Sequence, residues 1–309
     1  MVKYIVRRVL FLIPVLVGVA FCVFTLLYLT PGDPAKMVLG DLATESAIRD
    51  FREKEGLDKP FLVQFGNYLY KAVTQGDIGR SYVTKRPVMT EIMATFPATL
   101  KLATFAIVIA IVLGLPCGIL SAIKQYSAFD TVTMILAMIG LSMPVFWLGL
   151  LLILLFSVYL RWLPSSGFDT FKAMILPSLA LSAQSVSMIT RMTRSSMLEV
   201  IRADYIRTAR SKGQKESVVI WVHALHNALI PVVTLCGLQF GSLLAGAILT
   251  ESIFAVPGVG RLMVESIKAR DYPVVQGGVL FVAAAFSVVN LLVDLLYAYI
   301  DPRIKAQYR

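Results

Sequence analysis

Only two histidines occur in the chain, His223 and His226, and they stand together as H-A-L-H. Paired imidazoles suggest a metal, but the hydrolytic zinc helix reads H-E-x-x-H and carries its own general base. H-A-L-H has neither that spacing nor that base, so metal-assisted hydrolysis is disfavoured. Cys22, Cys117 and Cys236 all fall inside apolar runs and read as small buried hydrophobes, with no metal spacing and no disulfide framework. No G-x-x-x-x-G-K-[ST] loop and no glycine-rich strand-to-helix turn is present to cradle a nucleotide, so the chain is predicted not to hydrolyse ATP by itself. What remains is the chemistry of a charged surface. Between Arg191 and Pro231 lie seven Lys/Arg: Arg191, Arg194, Arg202, Arg207, Arg210, Lys212 and Lys215.

Apolar residues within that segment recur at helical steps. Leu198, Ile201, Tyr205 and Ala209 form one stripe, with Arg202, Arg207 and Arg210 pointing elsewhere, and Gly213 is placed to end the helix. Ser217 is placed to cap a second helix with the stripe Val218, Val222, Leu225 and Leu229. The pattern predicts a helical hairpin projecting from a membrane domain. A basic amphipathic helix of this kind either lies on anionic lipid or docks in the groove of a partner protein, and the residues alone leave both open.

The elements that must position this segment are membrane spans. The chain is 57% hydrophobic and 16% charged, with mean hydropathy +0.76, far from the composition of a soluble domain. About 20 apolar residues cross a bilayer core. Six runs qualify: Val9–Leu29, Ala98–Ile123, Val132–Leu160, Ala173–Thr190, Ala228–Thr250 and Val274–Ile300. The third is long enough to tilt, or to bend at Pro144. The first is too long for a signal peptide and reads as an uncleaved helix. Short-loop charge sets the orientation. Lys3, Arg7, Arg8, Lys124, the seven basics above, Arg303, Lys305 and Arg309 fall on one side, which predicts both termini in the cytoplasm. The net charge of +10 is mostly this asymmetry and requires no nucleic-acid partner.

Residues 30–97 form the sizeable extramembrane region on the outer side, with nine Lys/Arg against nine Asp/Glu. Thr44 is placed to cap a helix that Gly56 ends, and Pro60 opens another with the stripe Phe61, Phe65, Tyr68 and Leu69. The organisation is therefore a tail and first helix (1–29), a small helical insertion (30–97) and a membrane core (98–309) that carries the basic loop 191–231.

A few polar residues lie on the apolar runs. Asp294 sits near the cytoplasmic end of the last and is predicted to be structural, hydrogen-bonded with Asn290 one turn earlier as the candidate partner; the alternative is a coupling-ion site. Ser142, Gln184, Ser185, Ser187, Gln239, Ser242 and Asn290 either line a polar path or bond between helices. Gly114/Gly118 and Gly237/Gly241 have the G-x-x-x-G spacing that lets helices approach closely.

The stretch D-Y-I-R-T-A-R-S-K-G (Asp204–Gly213), followed by H-A-L-H-N-A-L-I-P (His223–Pro231), resembles the cytoplasmic loop of permease subunits of ABC importers of the dipeptide/oligopeptide/nickel class. The general importer loop reads Glu-Ala-Ala, three residues, Gly, then Ile-x-Leu-Pro. Arg207, Thr208 and Ala209 fall on the first three positions and Gly213 on the glycine, so the generic form is poorly kept while the peptide-class form is well kept. Ala203 departs from that form, which usually has an acidic residue before Asp-Tyr. The resemblance runs along the chain through Y-I-V-R-R (Tyr4–Arg8), P-G-D-P (Pro31–Pro34), G-D-I-G-R-S (Gly76–Ser81), T-R-S-S-M-L-E-V (Thr193–Val200), P-G-V-G-R-L (Pro257–Leu262), R-D-Y-P-V-V-Q-G (Arg270–Gly277) and D-P-R (Asp301–Arg303).

The resemblance implies an all-α polytopic membrane protein with the six-helix type I importer permease fold, in a bacterial or archaeal plasma membrane. It implies that Asp204, Tyr205, Arg207, Thr208, Ala209, Arg210, Lys212 and Gly213 form the helix that docks on an ATPase, with the apolar stripe and the basics in its groove. It also implies the partners: a second, homologous permease subunit, two cytoplasmic ATPase subunits holding ATP and Mg, and an extracytoplasmic substrate-binding protein. The rival class is an ion-coupled secondary transporter, which would usually show inverted repeats and helices interrupted at midplane; the sequence shows no repeat.

Overall fold

The computed structural model describes residues 2–40 and 42–300, and their regular elements are helical. The orientation signals Arg303, Lys305 and Arg309, and the motif Asp301–Arg303, lie outside the described residues. In chain order the helices are α1 (Val2–Leu29), α2 (Pro34–Leu39), α3 (Glu45–Glu55), α4 (Phe61–Gln75), α5 (Val88–Ile123), α6 (Ala128–Ser142) and α7 (Val145–Leu152). After a π-helical segment, Ile153–Tyr159, come α8 (Phe171–Ile201), α9 (Asp204–Ser211) and α10 (Glu216–Val218). A second π-helical segment, Val219–Ala224, leads to α11 (Leu225–Gly246), α12 (Ile248–Ile253), α13 (Val259–Lys268) and α14 (Tyr272–Ile300).

Among the described residues five helical stretches are long and apolar enough to cross a membrane: α1, α5, α8, the run Glu216–Gly246 and α14. The third predicted run is a broken pair, α6 and α7 with its π-helical extension, bent by 107°. Pro144 is the cause. It has no N–H to continue the ladder and holds Met143 extended (φ −79°, ψ 125°), so the helix stops at Ser142 and restarts at Val145.

The chain packs as two units, one of residues 2–99 and 257–285, the other of residues 100–256 and 286 onward. In the first, the insertion folds as its local signals predict. Thr44 Oγ1 accepts from the Ala47 amide, and Gly56, at φ +70°, ends α3. α4 starts immediately after Pro60, and its Phe61 and Phe65 meet Phe21, Phe24 and Tyr28 of α1 edge-to-face at 5.1–5.8 Å. Asp271, the residue before α14, accepts from the Ser81 hydroxyl at 2.5 Å and from the Tyr82 amide at 2.9 Å, which pins the 79–84 turn.

In the second unit α8 is central and packs against α6, α7 and α11. Gly114 and Gly118 of α5 let that helix lie almost directly on α8. A Cβ at Gly114 would stand 3.0 Å from the Val186 carbonyl oxygen, and one at Gly118 would stand 2.6 Å from the Thr190 carbonyl oxygen. The second small-residue pair faces α14, with Gly237 against Val293 and Gly241 against Phe286. Both predicted close approaches are present.

Candidate functional site

The basic segment is built differently from the predicted hairpin. α8 does not stop at Thr190, where the predicted apolar run ends, but continues to Ile201. Arg202 and Ala203 then break it, Ala203 being extended (φ −69°, ψ 149°), and α9 starts at Asp204. Leu198 and Ile201 therefore belong to a different helix from Tyr205 and Ala209. The break rotates the register, so that Ile206 is fully buried while Tyr205 is 47% exposed. Gly213, at φ +74°, reverses the chain. Ser217 caps nothing: Lys215 holds the N-cap position, and the helix from Glu216 runs without interruption into the span that ends at Gly246. The arrangement is one short helix between two long ones.

α9 is held on its inner side by apolar packing and on its flanks by hydrogen bonds. Ile206 sits in a cluster with Ile119, Ala122, Met197, Val219, Ala224 and Ala228, and Ala209 packs against that cluster. Arg210 donates to both carboxylate oxygens of Glu216, at 3.1 and 2.7 Å, and so closes the Gly213 turn. Asn227 Nδ2 donates to the Tyr205 hydroxyl at 3.1 Å, and His223 Nε2 meets Gln214 Oε1 at 2.7 Å. Arg202 donates to Gln125 Oε1 at 3.2 Å. The apolar residues of α9 thus face the chain's own core. Asp204, Arg207, Thr208 and Ser211 stand at i, i+3, i+4 and i+7 and make an exposed polar face, with Lys212 exposed beside it.

Beneath this segment lies an ion pair that the sequence does not announce. Asp130 accepts from Arg194 Nε at 2.6 Å and from its terminal nitrogen at 2.8 Å, from the Tyr126 amide at 3.0 Å, and from the Ser121 hydroxyl. Its side chain is 5% exposed and that of Arg194 23%. One carboxylate thereby joins the ends of α5 and α6 to α8. Arg194, counted above among the basics of a loop, is a residue of α8 turned inward. Ser127, three before Asp130, caps α6 through its hydroxyl. That local pattern marks a helix start; nothing near it marks a partner 64 positions away.

The polar residues on the spans are not gathered into one site. Gln239 Nε2 donates to Ser185 Oγ at 3.0 Å, a bond between α11 and α8. Ser187 turns back on the Ala183 carbonyl oxygen at 2.9 Å. Gln184 is half-buried, whereas Ser142 and Ser242 are exposed. Asn290 is half-buried, and its Oδ1 is buried without a hydrogen-bond partner among the described residues. Asp294 is half-buried on α14.

Comparison with known proteins decides the family. The model described as "Binding-protein-dependent transport system inner membrane component" matches residues 114–306, and its N-terminal companion matches residues 1–103. The chain belongs to this family. It is similar over 99% of its length to the dipeptide transport system permease protein DppB of Alkalihalophilus pseudofirmus, with 48% identity and the whole of that protein covered. It is similar over 99% of its length to the glutathione transport system permease protein GsiC of Pectobacterium atrosepticum, with 47% identity and 99% of that protein covered. An inward-facing structure of the MetNI methionine ABC transporter matches 69% of this chain and 97% of its own at TM-score 0.57 and 18% identity, which shows a shared fold. The binding-protein-dependent permease is thus an all-helical, multi-pass inner-membrane protein. It is the permease subunit of an ABC importer and not itself the ATPase, and its family implies ATPase and binding-protein partners.

Proposed function

We propose that this permease carries short peptides, and that α9 is where the ATPase acts on it. Full-length relatives named for dipeptide and for glutathione transport support the first part. Both names describe short peptides with free carboxylate and ammonium groups. The observation that carries the second is the division of α9 into two faces: Ile206 locked into the core, and Asp204, Arg207 and Thr208 turned outward. A force applied to that outward face passes through Ile206 and the Arg210–Glu216 clasp to α8 and α11. In this reading the outward polar face, with Tyr205, Lys212 and the Gly213 turn, enters the ATPase groove, while Ala209 and Arg210 hold α9 to its own chain. The rest of the machine is a second homologous permease subunit, two ATPase subunits holding ATP and Mg, and an extracytoplasmic binding protein. Residues 30–97 lie outside and loop 191–231 in the cytoplasm of the 98–309 core. Gln184, Gln239, Ser142, Ser242 and Asn290 border the peptide path, and Asp294 is structural.

Two measurements test this. Arg207→Glu reverses one charge on the outward face and touches no core residue. Gly213→Pro forbids the positive φ and removes the amide that bonds to the Arg210 carbonyl oxygen at 2.9 Å. Both variants are expected to insert and assemble, and to lose at least about tenfold of binding-protein-stimulated ATP hydrolysis and of dipeptide uptake in proteoliposomes, the loss that about 1.4 kcal/mol of docking energy produces. Unchanged stimulation in both would place the ATPase elsewhere. Orientation is tested by single cysteines on a background in which Cys22, Cys117 and Cys236 are replaced. One at Asp50 is expected to react with an impermeant maleimide in intact cells, and one at Ser217 only after lysis. The opposite pattern would invert the protein.

A further inference from the structure

The contacts between α4 and α1 set how deep the insertion reaches. The apolar run of α1 extends from Arg8 to Leu29. With Arg8 at one membrane boundary and a rise of 1.5 Å per residue, Phe21 stands about 20 Å along the run and Phe24 about 24 Å, inside a hydrocarbon core about 30 Å thick. Tilting α1 takes both rings deeper. The Phe65 ring meets Phe21 at 5.3 Å and Phe24 at 5.5 Å. Phe61 meets the same two rings at 5.8 and 5.4 Å, and Tyr28 at 5.1 Å. The first turns of α4 therefore lean on a stretch of α1 that is below the membrane surface.

α4 divides into three faces. Phe61, Phe65 and Tyr68 stand at i, i+4 and i+7 and meet α1. Gln64, Asn67, Lys71 and Thr74 stand at i, i+3, i+7 and i+10 and make a polar face. Between the two remain Leu62, Val63, Tyr70 and Val73, which span about 100° of the helix circumference. All four are exposed, Leu62 by 71% and Val73 by 82%. A contiguous apolar face of this kind marks a partner. The depth of α4 names it, because a face that adjoins rings inside hydrocarbon meets acyl chains. We propose that α4 lies in the boundary layer of the bilayer as an interfacial helix. Leu62, Val63, Tyr70 and Val73 sit among phospholipid acyl chains, and Asn67, Lys71 and Thr74 face headgroups and water. Residues 61–73 are then set apart from the rest of the insertion, which lies outside. This needs neither the substrate nor the sidedness proposed above, only that α1 crosses the bilayer.

The test uses the assembled importer in vesicles of phosphatidylethanolamine and phosphatidylglycerol, with a nitroxide label on single cysteines. Leu62→Cys and Val73→Cys probe the apolar face, and Asn67→Cys and Lys71→Cys the polar one, each with Cys22, Cys117 and Cys236 replaced. Native Cys22, exposed on α1 beside Phe21, is the depth reference when only Cys117 and Cys236 are replaced. Every labelled position is exposed, so folding is preserved. Collision with oxygen, which concentrates in hydrocarbon, is compared with collision with a water-soluble nickel chelate. Oxygen is expected to exceed the chelate several-fold at positions 22, 62 and 73, and the chelate to exceed oxygen at 67 and 71. Chelate in excess at 62 and 73, with oxygen in excess at 22, overturns the proposal and makes α4 part of a soluble cap. Chelate in excess at 22 overturns it by lifting that end of α1 out of the core. Immobile labels at 62 and 73 that neither reagent reaches overturn it by placing another protein subunit on this face.

Discussion

Arg194→Ala is expected to abolish uptake and to reduce sharply the amount of assembled importer recovered from membranes. The variant removes the one positive group among the partners of Asp130 and leaves a carboxylate whose side chain is 5% exposed with only the Ser121 hydroxyl and the Tyr126 amide. Breaking a buried pair from one side costs about 3–5 kcal/mol; the lower figure applies here because Arg194 keeps 23% exposure. About 3 kcal/mol is still a factor of more than a hundred in the ratio of folded to unfolded protein. Arg194→Lys keeps the charge but loses the two-pronged fork, so an intermediate defect is expected. The decisive comparison is the double variant Asp130→Ala/Arg194→Ala, which removes both charges and should be better assembled than Arg194→Ala alone. If the double variant is as defective as the two single effects summed, the pair does not couple α6 to α8.

Gly118→Val is expected to be comparably severe for a different reason. Its Cβ alone would come within 2.6 Å of the Thr190 carbonyl oxygen and of Thr193 Cβ. The first is backbone and cannot rotate away, so α5 and α8 must part. Overpacking of this kind costs about 1–3 kcal/mol or more in cores that can adjust, and a helix interface held by close approach in lipid has little apolar driving force to restore it. Gly114→Ala, with its nearest contacts at 3.0–3.1 Å, should be milder. The measurement is the thermal midpoint of the assembled complex in lipid, with dipeptide uptake alongside. A midpoint for Gly118→Val within a degree or two of wild type would mean that the two helices do not pack as described.

The large features were legible because single residues dictate them. The apolar runs mark the five helices long enough to cross a membrane and the broken pair, Pro144 marks the bend, and Thr44 and Gly56 bracket α3. The inside of the basic segment was not legible, because a helical stripe can be read only after the helix ends are known. Arg202 and Ala203 carry no breaker residue, yet the chain turns there, and a two-residue interruption exchanges the roles of Tyr205 and Ile206. Ser217 is a good capping residue, but the Gly213 turn delivers the chain two positions earlier, and Lys215 takes the cap. The Asp130–Arg194 pair and the Asp271 staple were invisible for another reason. Each joins positions 64 or more apart, and neither end has a local pattern that names its partner.

The helix that rises from Glu216 has its weak links low down. The π-helical turns of Val219–Ala224 displace its hydrogen-bond ladder, and Pro231 removes another rung shortly above. From Val232 to Gly246 there is no such defect, and those 15 residues make a stiff arm of about 22 Å. The helix therefore has a fulcrum near its foot, next to α9. A swing of about 10° there would carry Gly246 about 4 Å sideways, by the arm length alone. A push of small amplitude at the basic segment would thus be magnified at the far end of the span without any change in the arm between.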